Sequence, residues 1–228
     1  KDNEYLKRLD IVAIGTIADI VPLKDENRVI TKLGLLLLNQ TKNPGLKALI
    51  QLNNLTNIDS TQVGFIIGPR INACGRMGKA EEALRLFLTK DILEAQKLTD
   101  KLNEYNRVRQ EIEKRIYEDA IHKIEKENMK EKSCIVLSGE DWHHGVIGIV
   151  ASKITEMYYK PTILICFDGE EGKGSGRSIQ GFDLHNALCQ SSEYLEKYGG
   201  HEMAVGLSLN RKKFEEFKNK FQDIASKS

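Results

Sequence analysis

The sequence predicts an α/β protein of two lobes joined by a long helix, the N-terminal lobe mostly helical and the C-terminal lobe a small mixed sheet with flanking helices. Three observations carry this. Residues 91–127 contain neither Pro nor Gly, and Leu98, Leu102, Tyr105, Val108, Ile112, Ile116, Ala120 and Ile124 recur at steps of three and four, one stripe down a helix. Before that stretch the apolar patterns are helical. After it, apolar runs at 134–138 and 162–167 flank an apolar helix at 146–158, and strand, helix, strand at that spacing implies a parallel pair with a right-handed crossover. The expected division is 1–90, a connecting helix 91–128, and 129–228.

Bulk properties narrow the class. The chain has 228 residues, 40% hydrophobic and 29% charged, as in ordinary soluble domains. No uncharged apolar run is long enough for a bilayer, and the N-terminus lacks the basic-then-apolar layout of a signal peptide, so no membrane partner is expected. A formal charge of +1 supplies no global field for a polyanion, so a nucleic-acid site must be a local patch. Cysteines 74, 134, 166 and 189 are widely spaced with no C-x-x-C, which disfavours zinc and a disulfide framework and fits a reducing cytoplasm.

The chain opens on an apolar run, Glu4 to Gly15, with no start-like cap, as expected if it begins inside a domain. In Gly15-Thr-Ile-Ala-Asp19 a carboxylate is flanked by apolar residues, so Asp19 must be a cap, an ion-pair member or a metal ligand. Helices follow at 27–39, 46–52 and 61–67, the last capped by Ser60 and ended by Pro69. Arg70-Ile-Asn-Ala-Cys-Gly-Arg76 then reads as a glycine-bearing turn whose arginines either fork onto phosphate or form surface ion pairs. A helix at 79–88 leads to the long helix, which at 1.5 Å per residue runs roughly 50 Å. Pairs one turn apart, Glu111–Arg115 and Asp119–Lys123, support it. Its drift from a strict heptad argues against a free coiled coil.

In the second lobe Trp142, His143 and His144 precede a helix N-terminus beyond the end of a strand, where anions collect. Asp168-Gly169 marks a turn, and 172–178 (Gly-Lys-Gly-Ser-Gly-Arg-Ser) reads either as a phosphate clamp of glycine amides, hydroxyls and Arg177, or as a plain turn. Asp183 caps a helix expected to run 184–198, ending at a Gly199-Gly-His201 turn where backbone can approach a ligand. A strand at 207–209 and a closing helix at 211–226, with Phe214, Phe217 and Phe221 on one face, complete the chain.

Taken in order, Gly15-Thr-Ile-Ala-Asp19, Arg70-Ile-Asn-Ala-Cys-Gly-Arg76, Trp142-His-His-Gly-Val-Ile-Gly-Ile-Val-Ala151, Gly174-Ser-Gly-Arg-Ser178 and Gly199-Gly-His201 resemble the DHH phosphoesterase superfamily, and within it the RecJ-type single-stranded-DNA exonucleases. That resemblance implies a catalytic DHH domain joined by a long helix to a DHHA1 domain, with single-stranded DNA between them and two Mn²⁺ or Mg²⁺ ions activating water. By motif match it makes Asp19 the last aspartate ligand and puts Arg70, Asn72 and Arg76 along the DNA path. It gives Ser175, Arg177 and His201 the strand's backbone near its 5′ end, with His143 a neighbour of that path. The family's Asp-x-Asp and Asp-His-His motifs, which belong upstream of Asp19, have no counterpart here; His143-His144 follows Trp142, not Asp. The expectation is a C-terminal piece of a nuclease, inactive alone. The alternatives are a superfamily phosphodiesterase for short oligoribonucleotides or cyclic dinucleotides, and a non-catalytic strand-binding module.

Overall fold

A computed structural model describes residues 4–227, in two compact units that divide at Arg109/Gln110 inside one helix. The first unit is helical. A 3₁₀ turn (Glu4–Arg8) precedes α1 (Leu9–Ala18), α2 (Asp25–Leu38), α3 (Pro44–Leu52), α4 (Ser60–Gln62), α5 (Gly68–Arg76), α6 (Ala80–Leu88) and the start of α7 (Ile92–Lys126). α1 and α2 cross closely because Gly34 has no side chain: a Cβ there would lie 2.2 Å from the Leu9 carbonyl oxygen. Leu38, Leu46, Leu49, Val63 and Ile67 close the core beneath. The buried carboxylate of this unit is Asp10, which accepts from the Thr41 hydroxyl at 2.7 Å and the Ile11 amide at 2.8 Å. Asn43 caps α3 by accepting from Leu46 N at 3.0 Å and donates to Phe87 O at 2.8 Å, tying α3 to the end of α6.

Two expectations fail here. Asp59, not Ser60, is the cap, accepting from the Gln62 amide at 2.9 Å. Pro69 does not end the helix either. The segment Val63–Ile67 widens into a π turn, with Gly68 N–H reaching back to Val63 O, and α5 continues from it. A proline inside an α-helix clashes with the carbonyl four residues back and leaves it without a donor; a π turn just ahead of Pro69 relieves both. The Arg70–Arg76 motif is therefore helical rather than a turn.

The second unit begins with the remainder of α7. After a 3₁₀ turn (Met129–Glu131) come β1 (Ile135–Gly139), α8 (His144–Tyr158), β2 (Thr162–Asp168), β3 (Glu171–Arg177), α9 (Leu184–Cys189), a 3₁₀ turn (Ser192–Tyr194), β4 (Lys197–His201), β5 (Ala204–Asn210) and α10 (Phe214–Ala225). The strands form one sheet in the order β1-β2-β3-β5-β4; β1 and β2 are parallel and every other pair is antiparallel. One face packs Ile135, Leu137 and Leu164 against Ile147, Val150 and Ile154 of α8 and Ile116, Ala120 and Ile124 of α7. The opposite face packs Val136, Ile163, Ile165, Val205 and Leu207 against Leu184, Phe217 and Phe221 of α9 and α10.

The stretch read as a glycine clamp is β3, in the middle of this sheet. Its glycines alternate because they face large neighbours: a Cβ on Gly172 would lie 2.6 Å from the Phe167 ring, one on Gly174 2.8 Å from Leu207, and one on Gly176 2.8 Å from Val205. Period two is a strand's buried face, not a loop's freedom. The helix expected over 184–198 stops at Cys189. Ser191, fully buried, turns its hydroxyl onto Ala187 O at 3.0 Å, and the chain then pairs with β5 as β4. Gly199-Gly200-His201 is consequently an edge strand, with Gly200 at φ +139 where a Cβ would strike Ala204 O at 2.3 Å.

Candidate nucleic-acid interface

In the first unit Asp19 follows the last residue of α1. It is exposed, caps no amide, and its carboxylate has no hydrogen-bond or ion-pair partner among the described residues. Both bland roles, cap and ion pair, are thus unfilled. Gly15, one turn earlier, is also exposed and has nothing within 4 Å of where a Cβ would stand. The end of α1 meets the start of α5, where a Cβ on Gly68 would be 3.2 Å from Ala18 Cβ, so the Asp19 and Arg70 motifs are neighbours.

The helical form of that second motif splits it. Residues two apart point about 200° from each other on a helix, so Arg70 faces away from Asn72, while Asn72 and Arg76 share a face one turn apart. Half-buried Arg70 donates from Nε to Asn103 Oδ1 at 2.5 Å and from Nη1 to Ile66 O at 2.7 Å; burial draws its pKa below the ordinary value. The guanidinium is held by neutral acceptors, so among the described residues its charge has no ion-pair partner and part of its donor fork is available. Asn72 is exposed, Arg76 half-buried, and Gly75 between them has open space at its missing Cβ. With no packing to require it, the glycine's effect is to leave the surface beside Asn72 and Arg76 bare.

In the second unit the register brings Ser175, Arg177 and His201 to one sheet face. Arg177 and His201 both pair with Ala204, so they occupy one row two strands apart, and Ser175 lies in the next row. Arg177 Nη1 donates to Ser175 Oγ at 3.1 Å and to Gly176 O at 2.7 Å. Gly148 of α8 lets the helix close over this pair, since a Cβ there would lie 2.9 Å from Ser175 Oγ and 3.1 Å from Arg177 Nη2. The amides of β3 are spent on ladders to β2 and β5, so the anion donors of this face are side chains rather than the backbone clamp expected from the glycines. Reading β3 as a strand would also have found Lys173 on the same face, and with it Lys197 and Ser208 across the register.

Trp142 does not face a ligand. It is 8% exposed, donates from Nε1 to Asp119 Oδ2 at 2.8 Å, carries Lys123 Nζ 4.8 Å above its ring, and requires Gly139 beneath it. His143 is the cap of α8: its Nδ1 accepts from Gly145 N at 3.1 Å, which assigns the neutral ring's proton to Nε2. Its ring stacks on His144 at 5.0 Å, and burial, helped by that neighbour, lowers its pKa. A cap on Nδ1 needs the neutral ring. Because the folded pKa lies below the unfolded value of about 6.5, the cap's stabilisation is complete above pH 6.5 and lost as pH falls through the folded pKa. Melting curves of the wild type and His143→Asn, whose cap does not titrate, should therefore diverge as pH is lowered below 6.5, the wild type losing more; parallel curves would remove the cap.

Residues 131–227 match the family model of the DHHA1 domain. The class of these residues is thereby given: a DHHA1 domain, its sheet carrying Arg177 and His201 on the face that α8 packs. The chain is 39% identical over 221 residues to the single-stranded-DNA-specific exonuclease RecJ of Bacillus subtilis, a match covering 95% of this chain and 28% of that protein. RecJ of Thermus thermophilus is 37% identical, over 97% of this chain and 32% of that one. The crystal structure of Thermus thermophilus RecJ in complex with Mn²⁺ superimposes with a TM-score of 0.90 at 36% identity, covering 98% of this chain and 33% of that one; the Mg²⁺ complex gives 0.89, covering 35% of that chain. This chain is thus homologous to RecJ over nearly its whole length. It spans 28–40% of the length of the RecJ proteins it matches.

Those structures hold divalent ions, and the residues here do not by themselves fit one. Among the described residues no three His, Cys, Asp or Glu side chains converge, and one exposed carboxylate does not supply the several oxygen ligands that Mn²⁺ or Mg²⁺ takes. Among the described residues no helix is long and apolar enough to cross a membrane.

Proposed function

We propose that this chain is part of a metal-dependent exonuclease that hydrolyses single-stranded DNA in the 5′→3′ direction during DNA repair and recombination in the cytoplasm. Asp19 is read as one ligand of a two-ion Mn²⁺ or Mg²⁺ site whose other ligands lie outside these 228 residues. Arg70, Asn72 and Arg76 line the strand's path in the first unit. Ser175, Arg177 and His201 hold its sugar–phosphate backbone in the second, with His143 beside them.

The observation that carries this reading is the shared face of Ser175, Arg177 and His201 in a chain of RecJ type. An exonuclease must hold a strand regardless of sequence, and phosphates offer charge without sequence. Arg177 binds a phosphate through two parallel donors, Ser175 orients the guanidinium, and His201 adds a donor at the open edge. Binding of oligo-dT measured across a salt series tests it. Arg177→Ala should lower the slope of log K against log salt by roughly 0.7, the single-strand value for one phosphate contact, and Arg177→Lys should restore only part of the affinity. An unchanged slope would leave Arg177 a structural residue and the reading without its main contact.

A further inference from the structure

We propose that the strand held at Arg177 continues across the open half of the sheet, and that Lys173, Ser208 and Lys197 hold a second backbone phosphate there. This rests on the reading of the Arg177 face as the strand-binding surface and adds to it a subsite and a minimum substrate length. Three cross-strand rows define the surface: Arg177–Ala204–His201, then Ser175–Gly206–Gly199, then Lys173–Ser208–Lys197. An open trough of about 620 Å³ lies over the last two, lined by His144, Lys173, Ser175, Lys197, Gly206 and Ser208 among others.

The middle row is bare without internal cause. Gly199 and Gly206 sit opposite each other, neither has positive φ, and a Cβ on either would meet nothing within 4 Å. They differ in this from Gly172, Gly174 and Gly176 on the other face, which large core side chains demand. Glycine in a strand interior weakens it, and often marks close approach by a ligand. Here it clears a floor between two cationic rows.

The last row has the charge for an anion. Lys173 and Lys197 have no ion-pair partner, and the Ser208 hydroxyl no hydrogen bond, among the described residues. Four residues of strand, about 13–14 Å, separate it from the Arg177 row. One nucleotide unit is too short for that interval, so both rows are filled only by a longer strand whose sugars cross the glycine floor. Glu171 and Glu196 also line the trough, at its far end beyond the lysines. They repel a further phosphate and end the footprint there. The ligand is thus a polymeric single strand, not a dinucleotide.

The test is an NMR titration of the 228-residue chain with 5′-phosphorylated dT2 and dT9 at several salt concentrations. The double variant Lys173→Ala/Lys197→Ala should bind dT9 roughly tenfold more weakly, with a salt slope lower by roughly 1.4 for two lost contacts, and should bind dT2 as the wild type does. Gly206→Val, which suits a strand, should keep the fold's spectrum and lose the dT9 advantage over dT2. Equal losses for dT2 and dT9 in the lysine variant, or dT9 binding indifferent to Gly206→Val, would overturn the second subsite. If Arg177→Ala weakens both ligands while the lysine variant weakens neither, the subsite fails and the strand-binding face stands. Failure of the wild type to bind either ligand would remove both.

Discussion

Replacing Asp19 by Ala in the full-length protein is expected to abolish nuclease turnover and leave the melting midpoint unchanged or slightly raised. The expectation follows from its place in the fold. Asp19 is exposed at the C-terminal end of α1 and caps no amide. A carboxylate at that end faces the negative pole of the helix, an unfavourable placement worth about 0.3–1 kcal/mol, so its removal cannot cost stability through the helix. Had Asp19 been a cap, alanine would cost about 1 kcal/mol. Asp10 is the built-in contrast. It is 4% exposed and anchors Thr41, so Asp10→Ala should destabilise by roughly 1.5–3 kcal/mol whatever happens to activity. Exonuclease assay with Mn²⁺ on 5′-phosphorylated single strands, beside thermal melts, separates the two. Activity surviving in Asp19→Ala would end its assignment as a ligand. The same assay on the 228-residue chain alone should release no mononucleotides, since Asp19 is its one carboxylate matched to the metal site.

What the sequence made legible, and what it hid, divides along the range of the interactions involved. Helix α7 was readable because its stripe is local: Leu98, Leu102, Ile116, Ala120 and Ile124 recur on a helical period, and each is buried. The β1–α8–β2 unit was readable for the same reason, apolar runs with turns between them. β3 was not. Its glycines match both a loop and a strand's crowded face, and only the partners Phe167, Leu207 and Val205, supplied from elsewhere in the chain, decide which. The difference matters for the site: a loop offers amides, whereas a central strand offers alternate side chains, and only the strand puts Lys173 beside Ser175 and Arg177 on one face. β4 was hidden similarly, since its pairing with β5 overrides the helical pattern before it. Pro69 misled because a π turn, which no single residue announces, can carry a helix through proline. Asp19 stands out through its apolar neighbours, yet Ile17, Ala18 and Val21 are only half-buried, Ile20 is 89% exposed and the carboxylate itself is in water; the buried one is Asp10.

Trp142→Ala should destabilise the second unit by about 3–5 kcal/mol, the cost of truncating a large buried aromatic. Trp142 is the chain's one tryptophan and stands two residues before α8, a position that invites the idea of stacking on a base. Its surroundings say otherwise. Both ends of the side chain are used, the ring between Lys123 and Gly139 and the indole N–H on Asp119, and almost none of it reaches solvent. The residue fixes the segment between β1 and α8, and so the level at which His143 caps the helix and Gly148 closes over Ser175 and Arg177. Trp142→Phe keeps most of the packing and drops the Asp119 bond, which calls for a loss of roughly 0.5–1.5 kcal/mol. Measured well below its melting point, Trp142→Phe should bind oligo-dT as the wild type does, because a scaffold residue matters to the strand only while the scaffold is at risk. A base-stacking residue would behave in the opposite way, with affinity falling by roughly 1–3 kcal/mol when alanine replaces it and the fold hardly affected. Melting and binding curves on the two variants distinguish these outcomes. Weak binding by a Trp142→Phe protein that melts like the wild type would move Trp142 from the scaffold to the site.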